Sequence, residues 1–103
     1  MEHNRTDILK GLLEQNPANT FARYGLAMEL VKTADYDRAV GEFEELLSHD
    51  PDYAAAYYHG GQALEKSGKL EEARTFYERG IVACARVGDA HTKAEIEAAL
   101  ALL

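Results

Sequence analysis

Apolar side chains recur along this chain at the spacing of one face of an α-helix. Between residues 36 and 49 the pattern is clearest, and a matching pattern runs through residues 70–87. The two stripes consist of Tyr36, Ala39, Val40, Phe43, Leu46 and Leu47, and of Leu70, Ala73, Tyr77, Gly80, Ile81 and Cys84. Because no segment alternates like a strand followed by a hairpin turn, the sequence predicts an all-α protein.

The pattern repeats after 34 residues. Asn16-Pro17 returns as Asp50-Pro51, and the same shift holds across a whole unit. The aligned pairs are Ala22 with Ala56, Tyr24 with Tyr58, Leu30 with Leu64, Lys32 with Lys66, Ala39 with Ala73, Phe43 with Tyr77, Glu44 with Glu78, and Leu47 with Ile81. We therefore expect two tandem helix–turn–helix units, at 17–50 and 51–84. The short turns predict antiparallel packing of neighbouring helices.

Local signals suggest where the first helix of each unit begins and ends. Asn16 and Asp50 are typical N-caps, and a proline after each would occupy the first helical position. This predicts helices at 17–33 and 51–67. Gly68 suits the left-handed position after a helix, whereas Ala34 at the equivalent place predicts a strained turn.

The two ends differ from the repeat. Residues 5–15 form a predicted helix that aligns with the second half of a unit whose first half is missing. After the second unit, Gly88-Asp89 predicts the end of one helix and the cap of another, at 90–102. We interpret 90–102 as a capping helix that covers the last apolar face, so that residues 1–103 form one domain.

These positions resemble the tetratricopeptide repeat. The first unit carries the resemblance through Leu26, Ala27, Leu30, Ala39, Phe43, Leu46 and Pro51, and the second through Tyr57, Gly61, Leu64, Ala73, Tyr77 and Gly80. Two departures stand out: Arg23 replaces a bulky apolar residue, and Gly60 replaces a leucine. The second unit also lacks the closing proline. The resemblance implies a short right-handed α-solenoid of stacked helix pairs.

The resemblance also implies a binding face. In this family the first helix of each unit lines a concave groove that holds a peptide. The groove positions fall on Phe21, Tyr24, Met28, Val31 and Lys32, and on Ala55, Tyr58, Gln62, Glu65 and Lys66. Some members clamp a C-terminal carboxylate with Lys and Asn, but Tyr24, Met28 and His59 occupy those places here. We therefore expect an apolar or mixed ligand.

Composition and charge narrow the possible partners. The net charge of −7 and pI near 5.0 argue against nucleic acid and against anionic membrane surfaces. Cys84 is the only cysteine, so no disulfide can form within the chain. The N-terminal residues lack the apolar core of a signal peptide, and no apolar run is long enough to span a membrane. We expect a cytoplasmic protein.

Candidate chemistry is sparse. The four histidines are scattered, and His91 with Glu95 offers at most half of a metal site. Cys84 lies on an apolar stripe without a neighbouring base, and Gly60-Gly61 lacks the context of a phosphate loop. We interpret the glutamates of the second helices, such as Glu42 and Glu44, as solvated surface. The sequence therefore predicts no catalytic residue, no metal ligand and no cofactor.

Three functions follow from these observations. The leading one is a protein-interaction module or scaffold that holds a peptide or partner protein on the concave face. The alternative is a structural subunit that forms a homodimer through its terminal helices, with Ile8, Leu9, Leu12 and Leu13 covered by a second copy. A small-ligand carrier or enzyme is a distant third. Whether the chain's own last helix fills the groove is left open at this point.

Overall fold

Six α-helices account for nearly all of residues 4–103, which are the residues that the computed structural model describes. They are α1 (Arg5–Gln15), α2 (Thr20–Lys32), α3 (Tyr36–His49), α4 (Ala54–Lys66), α5 (Leu70–Val87) and α6 (Ala90–Ala101). Each helix packs against the next along the chain, and α6 also touches α4. Within residues 4–103 there is no strand, and the fold is an all-α helical repeat solenoid. The periodicity predicted the all-α class, and the family resemblance implied the solenoid.

Four helices match their predicted bounds to within one residue. Helices α1, α3 and α5 span the predicted ranges, and α6 ends at Ala101 rather than at 102. At the junction between α5 and α6, the expected end and start signals are both present. Gly88 ends α5 with a φ of 73°, and the Asp89 side chain accepts a hydrogen bond from the Thr92 N–H at 3.0 Å.

The predicted starts of the other two helices are wrong. Helix α2 begins at Thr20 and α4 at Ala54, each three residues later than expected. Asn16 is the C-cap of α1, and its Oδ1 accepts from the Ala18 N–H at 3.1 Å. Asp50 accepts from the Asp52 N–H at 3.2 Å in the same way.

These Asx turns place both prolines in the connections rather than at the first helical position. An Asn or Asp side chain that bonds to the backbone two residues ahead cannot also cap a helix that starts immediately. The N-cap of α2 is Asn19, which accepts from the Ala22 N–H at 3.0 Å. The repeat boundaries at 17–50 and 51–84 stay a prediction.

The turns within the two units share one backbone conformation. Ala34 has a φ of 60° and Gly68 a φ of 80°, so both lie in the left-handed region. The following residues close the turns, because the Asp35 N–H donates to the Leu30 carbonyl and the Lys69 N–H to the Leu64 carbonyl, each at 2.9 Å. Ala34 thus adopts a backbone conformation that is disfavoured for a residue with a Cβ, in line with the expectation of a tighter or strained first turn.

The core lies between the first and second helices of each unit. Its largest fully buried side chains are Tyr77, Phe43, Leu46 and Ile96. Ile96 reaches the core from α6, and a Cβ added at Gly80 would lie 2.8 Å from its Cδ1. Gly80 thus lets α6 approach α5 closely and cover the end of the second unit.

Two exposed ion pairs link the first unit to the second, and a third joins the α3–α4 connection to α5. Lys69 pairs with Asp37 at 3.0 Å, Arg79 with Glu44 at 2.9 Å, and Arg86 with Asp52 at 2.6 Å. Glu44 is exposed surface, as expected, and it also forms an ion pair with Arg79. All six side chains are substantially exposed, so each pair adds little to stability.

Candidate functional site

The candidate groove residues lie on α2 and α4, the first helices of the two units. Their exposure differs widely. Phe21 is 71% exposed, whereas Tyr24, Met28 and Val31 are partly buried against the core. On α4, Tyr58, Gln62 and Glu65 are also partly buried, with Ala55, while Lys32 and Lys66 are exposed. Phe21 is therefore the large apolar side chain of this set that the fold leaves uncovered.

Aromatic contacts join the two helices. The ring centroid of Tyr24 lies 5.3 Å from that of Tyr53 and 6.1 Å from that of His59. His59 in turn lies 5.2 Å from Tyr58. Burial raises the pKa of Tyr24, and the Tyr53 hydroxyl raises it further. These four rings give the middle of the face a fixed, largely uncharged floor.

Tyr53 was missed by the sequence analysis. It precedes α4 and shares its repeat position with Asn19, so its residue type gave no hint of a place on the face. The 5.3 Å contact with Tyr24 brings it there. A search for aromatic residues just before each first helix could have found it.

His59 sits between the two units and contributes little positive charge. Burial lowers the pKa of its imidazole, and the nearby Glu95 carboxylate opposes that shift. It lies among tyrosine rings rather than in an enclosed polar pocket. Within residues 4–103, no group of three or more His, Cys, Asp or Glu side chains is placed to hold a metal ion.

A cleft of about 410 Å³ lies between α4 and α6. Its lining comprises Tyr58, Gln62 and Glu65 from α4, and Glu95, Ala98, Ala99 and Leu102 from the C-terminal segment. Three of the predicted residues thus converge there, whereas the four from the C-terminal segment were not predicted. The last helix therefore does not fill this cleft. Helix α6 forms one wall of it and leaves a space beside α4.

Hydrogen bonds hold the α4 wall in place. The Gln62 amide donates to the Tyr58 hydroxyl at 3.0 Å, and the Tyr77 hydroxyl donates to the Glu65 carboxylate. Burial raises the pKa of Tyr77 strongly, and the hydrogen bond to Glu65 adds to the effect. The Glu65 carboxylate is therefore positioned by a core side chain rather than free to rotate in solvent.

Lys66 lines a smaller cleft, and its ammonium group lies towards α3. This space of about 190 Å³ is lined by Gln62, Glu65 and Lys66. The Lys66 ammonium lies 6.0 Å from the centre of the Tyr36 ring on α3. At that distance it makes a weak cation–π contact with the first unit.

Cys84 lies in the core, away from this face. It is 1% exposed, and burial raises the pKa of its thiol. A buried thiol with a raised pKa is a poor nucleophile. In the described part of the chain, no helix combines the length and apolar character needed to cross a membrane.

Comparisons with known proteins agree with this geometry. The family model described as tetratricopeptide repeat matches residues 24–87. A TPR repeat-containing protein of Pseudomonas aeruginosa is 28% identical over 88 residues, which cover 85% of this chain and 84% of that protein.

Solved structures show the same fold. A tetratricopeptide repeat domain protein of Salinibacter ruber is 35% identical, with a TM-score of 0.73 over 80% of this chain and 91% of that one. A protein of Bordetella parapertussis is 26% identical, with a TM-score of 0.83 over 96% of this chain and 86% of that one.

Proposed function

Because the chain belongs to the tetratricopeptide repeat family, we propose that it is a protein-interaction module that holds a peptide or a segment of a partner protein on the face formed by α2, α4 and α6. Proteins of this family bind other proteins in general. The identity of the face and its occupant are the specific parts of the proposal.

The observation that carries the proposal is the uncovered Phe21 beside the fixed aromatic floor. A phenylalanine that is 71% exposed gains contact area when a partner covers it. Tyr24 and Met28 continue the apolar surface from Phe21, and the cleft beside Tyr58 extends it towards α6. Side chains held rigid in the free protein lose little conformational entropy on binding.

Substitution at Phe21 tests this proposal with little risk to the fold. We expect Phe21→Ala to weaken capture of partner proteins on an affinity column by about tenfold or more, as central aromatic contacts often do. The matched control is Val82→Ala, since Val82 on α5 is 60% exposed and lies outside the proposed face. Equal capture by the two variants would contradict the proposal.

The proposal treats the chain as a binding protein rather than an enzyme. The clefts beside α4 bring no nucleophile and base together, and His59 contacts tyrosine rings. The proposed partners are proteins rather than nucleic acid or membranes, because the chain carries a net charge of −7. A cytoplasmic location stays the expectation drawn from the sequence.

Self-association is a second candidate, which the surface of α1 favours. Ile8 is 55% exposed, and the 34-residue shift aligns it with Glu42, which is partly buried, and with Phe76, which is buried. Leu12 is also only partly buried, while Leu9 is buried. The surface that a preceding helix would cover is thus available to a second copy.

Light scattering over a concentration series tests self-association. If a second copy covers α1, the mass should double with concentration, and Ile8→Lys should abolish the doubling. Leu70→Lys is the control, because Leu70 is 52% exposed on α5. A mass that stays at 11.4 kDa at all concentrations would rule out the dimer.

A further inference from the structure

The residues that line the cleft between α4 and α6 favour one kind of ligand side chain. We propose that it accepts a basic side chain, lysine or arginine, from the bound segment of the partner protein. This inference rests on the proposed function and specifies the partner's chemistry at one position.

The charged groups lining the cleft are all of one sign. Glu65 lies on the α4 wall and Glu95 on the α6 wall, and none of the seven lining residues is basic. Two carboxylates that line the same cleft both attract a cation that enters it. The rest of the lining is amide, hydroxyl or apolar, so nothing in it repels a cation.

In the described part of the chain, no buried cation pairs with either carboxylate. His59 contributes little charge because burial favours its neutral form. The His91 Nε2 lies 3.4 Å from the Glu95 carboxylate, but the two side chains are 89% and 44% exposed, so solvent weakens this pair. The Lys66 ammonium lies near the Tyr36 ring, and the groups that hold Glu65 and Tyr58 are uncharged.

The remaining lining suits the stem of a long basic side chain. Ala98, Ala99 and Leu102 provide an apolar wall opposite the Tyr58 ring. Leu102 is 87% exposed in the free protein, so it is available for contact. Lysine and arginine bury their methylene groups on such surfaces while the charged end stays with polar partners.

Titration of the ¹⁵N-labelled protein with two matched tripeptides tests the inference. The probes are acetyl-Leu-Arg-Leu-amide and its analogue with neutral citrulline in place of arginine. We expect the arginine peptide to shift the amide signals of residues 58–65 and 95–102, and to bind roughly two- to fivefold more tightly than the citrulline peptide. The difference should shrink at high salt, since the carboxylates are partly exposed.

Substitution of one carboxylate assigns the effect to the cleft. Glu95→Gln should remove most of the preference for arginine, whereas the control Glu97→Gln should keep it, because Glu97 is exposed on α6 outside the lining. Equal affinity for the two peptides, or no arginine-dependent shift in the cleft, would overturn the inference. The proposed function would survive that result if Phe21→Ala still weakened partner capture.

Discussion

One position of the repeat is occupied by different residue types in the two units, and each makes a similar contact with the connection before its helix. Arg23 and Tyr57 are equivalent under the 34-residue shift, and both donate a hydrogen bond to the carbonyl of the preceding proline, at 2.8 Å and 2.7 Å. Across the helix pair, Arg23 forms an ion pair with Glu42 at 2.7 Å. The equivalent pair in the second unit is aromatic, since the Tyr57 and Phe76 ring centroids lie 6.1 Å apart. The description of Glu42 as solvated surface is therefore wrong.

Breaking the ion pair should be costly because Arg23 is poorly exposed. Its side chain is 13% exposed, and its Nε already lacks a hydrogen-bond partner. We expect Glu42→Gln to lower the free energy of unfolding by about 1–2 kcal/mol, between the values for surface and buried pairs. Urea denaturation measures this. Glu45→Gln is the control, because Glu45 is exposed, and a loss of similar size there would refute the argument.

The glycines of α4 compensate for the larger rings of the second unit. A Cβ added at Gly60 would collide with the Phe76 ring, and one at Gly61 with the Tyr77 ring. The first unit has Leu26 and Ala27 at these places. The departure of Gly60 from the family pattern thus has a steric cause.

Alanine substitution separates this steric role from helix propensity. Gly61→Ala should destabilise the protein by about 1–3 kcal/mol, because a packed ring must move. Gly41→Ala should instead stabilise it by about 0.5–1 kcal/mol, since no heavy atom lies within 4 Å of the added Cβ on α3. Thermal unfolding of both variants tests the prediction. A stabilising effect at Gly61 would mean that the ring has room to move.

Helices were easier to predict from the sequence than the turns between them. The stripes on α3 and α5 fixed those helices because their apolar faces match the helical period over several turns. The starts of α2 and α4 were mistaken because Asn16 and Asp50 have two possible backbone partners. The α6 wall of the cleft could not be predicted, since it depends on the docking of α6 against Gly80 in three dimensions.

The turn between α2 and α3 retains strain that its counterpart between α4 and α5 avoids. Ala34→Gly should raise the free energy of unfolding by about 1 kcal/mol, because alanine is disfavoured at a φ of 60°. Gly68→Ala should lower it by a similar amount, since Gly68 has a φ of 80°. Urea midpoints compare the two variants with the parent chain. Changes of the same sign would contradict the explanation.

At the scale of the whole molecule, acidification should lower the free energy of unfolding through His59, whose ring lies near Tyr24 of the first unit and Tyr58 of the second. His59 has a lowered pKa in the folded protein, so the unfolded chain binds its proton more readily. Stability should therefore fall as the pH drops below about 6.5, and level off once the pH is below the folded pKa.

Unfolding at pH 7 and at pH 5.5 measures this effect. His59→Gln should reduce the loss of stability on acidification, because the lowered pKa of His59 is its physical cause. An identical pH dependence for the His59 variant and the parent would show that His59 does not couple folding to protonation.

The absence of a second closing proline has a consequence for how long such an array can grow. Helices α2 and α4 begin 34 residues apart, at Thr20 and Ala54, but α6 begins 36 residues after α4, at Ala90. Helix α5 runs on to Val87, through the place where the first unit turns at Pro51. Helix α6 therefore begins two residues later than the 34-residue period of the two units would place it. A third unit in register with the first two would need α5 to end near residue 83 and a new helix to begin at residue 88, so the longer α5 occupies the residues that would form that turn.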